Sequence, residues 1–245
     1  MPHGAISEKS RNSDLPNASA RCEQLAALID APRDRPFVIA QLGQSLDGRI
    51  ATPTGASRWI NGNSALDHLH RLRANVDAVL VGIGTVVADD PLLTVRRVAG
   101  KNPARVVIDP RGRMNAEARV LNDDGVRRIV VSRPDAPQRD GTEAIVLPGT
   151  TGGWLAPDAI VSALFNLGLT KILIEGGAST VSAFIDAGVV DRLHVLVAPV
   201  ILGSGIPGLS LNAIATLDEA KRPRTSVHVL DDGDVLFDCD LKQSL

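Results

Sequence analysis

The chain contains no tyrosine, four phenylalanines and two tryptophans, so aromatic residues make up only 2% of its 245 positions. Neither sign of charge is in excess: 26 Lys and Arg face 28 Asp and Glu, a net charge of −2. That balance gives no general attraction to nucleic acid or to an anionic membrane, so any phosphate binding must rest on locally placed arginines and backbone amides. Cys22 and Cys239 are far apart, with no CxxC and no His/Cys cluster. This excludes a disulfide framework, a zinc site and a redox pair. His68 and His70 lie two apart on a helical stretch and face different directions, so no metal is expected. No apolar run approaches the roughly 18 to 20 residues needed to span a bilayer, and the opening MPHGAISEKSRNSD has no apolar leader core. The expectation is a cytoplasmic protein with a small-molecule partner, binding neither nucleic acid nor membrane.

Both standard phosphate loops are missing as well. After Gly82 and Gly84 the dinucleotide fingerprint requires a third glycine at position 87, which is Val87, and the chain has no Gly-Lys-Ser/Thr triplet.

What is present is a regular alternation. Residues 1–35 read as an N-terminal extension, with a modest helical stretch over Arg21–Ile29 and then APRDRP, packed loosely on a domain spanning 36–245. Strands are expected from Phe37 toward Leu42 and at Val76–Val81, Arg105–Ile108, Arg128–Val131, Ala144–Leu147 and Lys171–Ile174. Helices are expected over Asn61–Arg73, from Pro157 through Leu167, and over Ala178–Ala187. Leu193–Val200, Ser226–Leu230 and Val235–Cys239 read as strands, the last two joined by the turn Asp231-Asp232-Gly233-Asp234. The fold class is α/β, a mixed and mostly parallel sheet flanked by helices with an antiparallel C-terminal hairpin.

Three stretches carry candidate chemistry. SLDGRIA at Ser45–Ala51 is followed by SRWI, where Trp59 reads either as a cover for a planar ring or as a plug over the core. RANVDAVLVGIGTVVADDPLLTVR, Arg73–Arg96, reads as an apolar strand, a glycine pair, a short acidic turn and a second strand flanked by arginines, with Asp89-Asp90-Pro91 equally readable as a helix-ending turn. Thr85 is an N-cap or a donor to a ligand oxygen. The arginines are either solvated charges or bidentate readers of a phosphate monoester. In ILIEGGAST, Ile172–Thr180, a strand ends in Glu175 and two glycines open a helix whose free N–H groups and positive dipole end suit an anion. A plain strand-to-helix turn is the alternative.

Taken in order, SLDGRIA, SRWI, LRANVDAVLVGIGTVVADDPLLTVR, RVVID, ILIEGGAS and VDRLHVLVAPVILG resemble the pyrimidine reductases of riboflavin biosynthesis, over about residues 36–240. The resemblance implies a dihydrofolate-reductase-like fold that binds NADPH without a Rossmann fingerprint. The zinc signature of the fused deaminase half, His-x-Glu with Pro-Cys-x-x-Cys, is absent, so the resemblance is to the reductase alone. It places Ser57, Arg73, Leu93, Arg96 and Glu175 at the substrate. It places Gly43, Trp59, Thr85, Asp89 and Gly176, Gly177, Ala178, Ser179, Thr180, Val181, Ser182 and Ala183 at the cofactor. Arg111 or Arg133, each following a strand, is expected to select NADPH through its 2′-phosphate. Glu175 and Asp89 are the carboxyl candidates for proton donation. Gln41 stands where many bacterial relatives carry a lysine.

The implied reaction is reduction of the ribosyl group of a 5-phosphoribosylaminopyrimidine, deaminated or still carrying the second amino group, to the ribityl product. A homodimer is implied as well. Two other readings stand beside it: a reductase of a pterin or other heterocycle on the same fold, and a non-catalytic nucleotide-binding protein.

Overall fold

The computed structural model describes residues 23–244, and Arg21 and Cys22 of the expected first helix lie outside that range. Its centre is a nine-stranded sheet in the order β10-β11-β8-β1-β7-β3-β4-β5-β6. The strands are β1 Phe37–Ser45, β3 Ala78–Gly82, β4 Ala104–Ile108, β5 Arg128–Ser132, β6 Glu143–Val146, β7 Lys171–Glu175, β8 Arg192–Ala198, β10 Pro223–Val229 and β11 Val235–Ser244. A separate two-stranded flap pairs β2 Arg49–Ala51 with β9 Ile206–Pro207, an element for which the sequence carries no alternation signal. From β8 through β6 every pairing is parallel, and β11 turns the edge antiparallel against β8 and β10.

Side-chain alternation along the central strands builds two cores. Val38, Ala40, Leu80, Val106, Ile172 and Ile174 face one side, where α4 Pro157–Asn166 and α5 Ala178–Asp186 cover them with Ile160, Leu164, Val181 and Phe184. Ile39, Val79, Val81, Val107 and Leu173 face the other. There they meet α1 Ala26–Ile29, α2 Asn63–Ala74 and α3 Ile83–Asp89 through Leu28, Leu72 and Val86.

Two local expectations change. The described part of the extension is docked rather than loose: Leu25, Leu28 and Ala31 are buried, Lys171 Nζ donates to the Ile29 carbonyl at 2.8 Å, and Arg35 pairs with Asp191 at 3.0 Å. In the Arg73–Arg96 stretch the glycine pair opens a helix, α3, which the expected acidic turn at Asp89-Asp90-Pro91 ends, and Pro91–Val95 is not a strand. Its β-branched Thr85, Val86 and Val87 favour a strand by propensity, and burial of Ile83 and Val86 against the second core overrides that preference. Asp90 ends the helix in the left-handed conformation, φ 41°.

Among the described residues no helix is long and apolar enough to cross a membrane.

Candidate active site

The C-terminal ends of β1, β3, β4 and β7 open into a cavity of about 900 Å³, where ligands of open α/β sheets gather. β7 lies between β1 and β3 in the sheet, which puts Glu175 at its middle, in register with Gln41. A second cavity of about 810 Å³ lies alongside, and Leu69 and Arg73 line both.

At the junction, Arg73 from the last turn of α2 grips Glu175 with both arms: Nε donates to Oε1 at 2.6 Å and Nη2 to Oε2 at 2.5 Å. Nη1 donates to the Thr94 carbonyl at 2.9 Å. Both side chains are buried. Burial works against the Arg73 charge, but attraction to Glu175 outweighs it, and the guanidinium pKa is raised. This revises two expectations. Arg73 has spent its fork on Glu175 and is not a free phosphate reader, and Glu175, with both oxygens held, has the geometry of a fixed counter-charge rather than a proton donor.

Arg96 is differently placed. It lines the smaller cavity, its backbone N–H donates to His70 Nδ1 at 2.9 Å, and Nη1 donates to Thr94 Oγ1 at 2.7 Å, leaving most of the fork free. Arg97, beside it, is held by Asp67 and Asn63. Burial, followed by repulsion from Arg73, Arg96 and Arg97, pushes the His70 imidazole down to about 4, so it is neutral near pH 7. With Nδ1 accepting from Arg96, the proton sits on Nε2. Leu93, at the left-handed φ of 54°, is buried and lines the larger cavity.

The glycine turn forms the opposite wall. Gly176 and Gly177 have φ of 65° and 75°, and a Cβ on Gly177 would lie 3.0 Å from Thr85 Oγ1. A Cβ on Gly82 would lie 2.4 Å from Thr180 Oγ1. Only glycine lets the ends of β3 and β7 and the two helix starts approach this closely. α5 begins with no side-chain cap, so its first N–H groups face the cavity wall formed by Gly176, Gly177, Ala178, Ser179 and Thr180. That cradle fits a dinucleotide pyrophosphate. Thr85 is the third residue of α3, whose N-cap is Gly82, so it is not an N-cap.

Of the remaining expected residues, Gly43, Ser57, Asp89, Arg111 and Ala183 line the larger cavity, and Trp59 lines the smaller one, 72% exposed. Three line neither. Val181 and Ser182 turn into the protein, Val181 in the core and Ser182 Oγ accepting from the Ser210 N–H at 2.8 Å. Helical periodicity permits only part of the run 176–183 to face one wall. Arg133 is paired through its fork with Asp135. The carboxylate of Asp89 has no hydrogen-bond partner among the described residues; only its backbone carbonyl is held, by Arg58.

Sequence reasoning did not single out Trp154 and Arg113, which line the larger cavity, or His70 as a wall of the smaller one. A rare tryptophan following two glycines was the available signal for Trp154.

The sequence model of the RibD C-terminal domain matches residues 36–222. The chain belongs to the RibD C-terminal domain family. It is 40% identical over 176 residues to the 2,5-diamino-6-ribosylamino-4(3H)-pyrimidinone 5′-phosphate reductase of Methanothermobacter thermautotrophicus, covering 69% of this chain and 80% of that protein. It is 31% identical over 242 residues to the riboflavin biosynthesis protein RibD of Aquifex aeolicus, covering 94% of this chain and 67% of the relative. The crystal structure of a Thermotoga maritima diaminohydroxyphosphoribosylaminopyrimidine deaminase/5-amino-6-(5-phosphoribosylamino)uracil reductase superposes with a TM-score of 0.73 at 27% identity. That match covers 90% of this chain and 60% of the larger protein. The family places the chain among the reductases of riboflavin biosynthesis, with the mixed α/β fold expected of them.

Proposed function

We propose that the protein reduces the ribosyl group of a 5-phosphoribosylaminopyrimidine to the ribityl chain, using NADPH. The observation that carries this reading is the junction of two cavities at the Arg73–Glu175 pair, one floored by an uncapped helix start and glycines, the other holding the largely free guanidinium of Arg96.

The glycine turn and the start of α5 would hold the cofactor's phosphates, and Arg96 would hold the substrate's 5′-phosphate. When bound, the cofactor supplies a hydride to C1 of the sugar. The protein's own part is alignment and proton supply. Glu175 fixes Arg73 at the seam between the two cavities. Asp89, whose side chain is free of hydrogen bonds, would in its acid form deliver a proton to the ring oxygen released as the C1–O bond of the sugar ring opens, balancing the hydride taken by C1. Apolar Leu69 and Leu93 help exclude water from the reacting carbon.

The relatives named for the diamino substrate favour that form, as does Gln41, a neutral amide in the cavity wall. Steady-state assays with the diamino and the deaminated compound, following loss of the reduced cofactor's absorbance, test this: turnover is expected with the diamino form, and inertness toward both compounds would reject the function. A homodimer is part of the proposal. The edge strand β10 exposes Val227 and Val229, and light scattering that returns the mass of one chain would remove that part.

A further inference from the structure

One face of α2 forms a wall of the smaller cavity: Leu66, Leu69, His70 and Arg73 all line it, at the spacing of a single helical stripe. His70 is the polar member of that stripe for which the chemistry above has no use. Its side chain is 4% exposed, yet it is part of the cavity wall. Nδ1 is spent in accepting the Arg96 N–H at 2.9 Å, which puts the proton on Nε2. The Nε2–H has no hydrogen-bond partner among the described residues. A buried donor costs free energy until an acceptor meets it, and the cavity is the side from which an acceptor can come.

The segment carrying Arg96 is laid against the same helix. Arg73 Nη1 donates to the Thr94 carbonyl at 2.9 Å, the Val95 N–H donates to Asn102 Oδ1 at 2.7 Å, and the Arg96 N–H donates to His70. Three consecutive residues are tied, so the Arg96 guanidinium springs from a fixed backbone. Arg96 itself is exposed, and salt screens its attraction to an anion. A bond from the buried imidazole is screened far less. The imidazole is also neutral near pH 7, its pKa held at about 4 by burial and then by Arg73, Arg96 and Arg97, with Asp67 opposing them. A further cation in this place would repel those arginines, whereas a neutral N–H offers an anion a directed, charge-assisted bond without that cost.

We infer that His70 is a second reader of the substrate's 5′-phosphate, its Nε2–H donating to a phosphate oxygen while its Nδ1 holds the backbone of Arg96 in place. The inference rests on the reading of Arg96 as the phosphate's cation and extends it. The phosphate is recognised by one exposed charge and one buried neutral donor, and a single imidazole joins the two.

Ribose 5-phosphate tests this without cofactor or turnover. In proton–nitrogen correlation spectra of the nitrogen-15-labelled protein, with His70 assigned through the backbone of α2, the ring is expected in the neutral Nε2–H form near neutral pH. Its Nε2 resonance should shift as ribose 5-phosphate is added and stay in place when ribose is added instead. In calorimetry, His70→Asn keeps an acceptor for the Arg96 N–H but cannot reach the phosphate, and should bind ribose 5-phosphate about tenfold more weakly. His70→Gln, whose amide nitrogen can take the Nε2 position, should recover most of that loss. The deficit of His70→Asn should persist at high salt, where that of Arg96→Ala shrinks. An unmoved Nε2 resonance at saturation, or wild-type affinity in His70→Asn alongside weak binding in Arg96→Ala, overturns the inference and leaves Arg96 on the phosphate. Failure of ribose 5-phosphate to bind, or equal affinity in every variant, rejects the phosphate reading along with it. Circular dichroism confirms folding of the variants, and the resonance shift is read on the wild-type protein alone.

Discussion

Arg73 and Glu175 bury opposite full charges at the seam of two cavities, and each is tolerated only because the other is there. Glu175→Ala strands a buried guanidinium and is expected to cost about 3–5 kcal/mol in urea unfolding. A loss of activity with no loss of stability would assign Glu175 a direct chemical role instead. Arg96 bears no such structural duty. Arg96→Ala should raise the KM for the phosphorylated substrate by about tenfold or more while cofactor affinity and stability hold. An unchanged KM would remove Arg96 from the phosphate. The sequence showed both arginines but not this division of labour. Arg73 and Glu175 are 102 positions apart, and only the parallel packing of β7 against β3 brings them together.

At the scale of elements, α2 is the part that sets the site, and it is anchored from a distance. Its formal N-cap, Gly62, offers no side chain, so the β10–β11 turn supplies caps in trans. Asp232 Oδ2 accepts the Ser64 N–H at 2.7 Å, and Asp234 Oδ2 accepts the Gly62 N–H at 2.9 Å. Asp232→Ala should cost about 1 kcal/mol, with faster amide exchange in the first turn of α2; unchanged exchange there would show that the cap is idle. Further along, His68 Nε2 meets His194 Nδ1 at 2.9 Å, and His194 Nε2 meets Asp238 Oδ1 at 3.1 Å. Asp238, also held by Arg192, sits at about 2 because these bonds outweigh the penalty of burial. As a carboxylate it accepts the His194 Nε2–H, so His194 Nδ1 accepts in turn from the His68 Nε2–H and His68 Nδ1 is left without a partner. The turn DDGD was legible in the sequence as a hairpin, but its service to a helix start some 170 residues earlier was not. α3 was legible only through its end at Asp89-Asp90-Pro91, since the β propensity of its Thr85, Val86 and Val87 pointed away from a helix.

For the molecule as a whole, the order of strands and helices was readable because short β-branched runs bounded by turn residues alternate with helical spacing. The flap of β2 and β9 was not, because a two-residue strand has no periodicity to read. The pH dependence of stability also belongs to this scale. His68 and His70 both hold depressed values in the folded state, chiefly through burial, so the unfolded chain binds more protons as pH falls below 6.5. The contribution of His70 is complete above about 6.5 and declines toward 4, whereas that of Asp238 declines only below 3.8. Urea midpoints should therefore fall between pH 7 and pH 5, and fall less in His70→Gln. Equal slopes in the two proteins would exclude His70 as a source. The proposed chemistry meets its most direct test in isotope transfer. NADPH carrying deuterium at both nicotinamide C4 positions, incubated with the protein and the diamino phosphoribosyl pyrimidine, is expected to leave one deuterium on C1 of a ribityl product. A protein that binds both compounds and transfers no label would contradict the account.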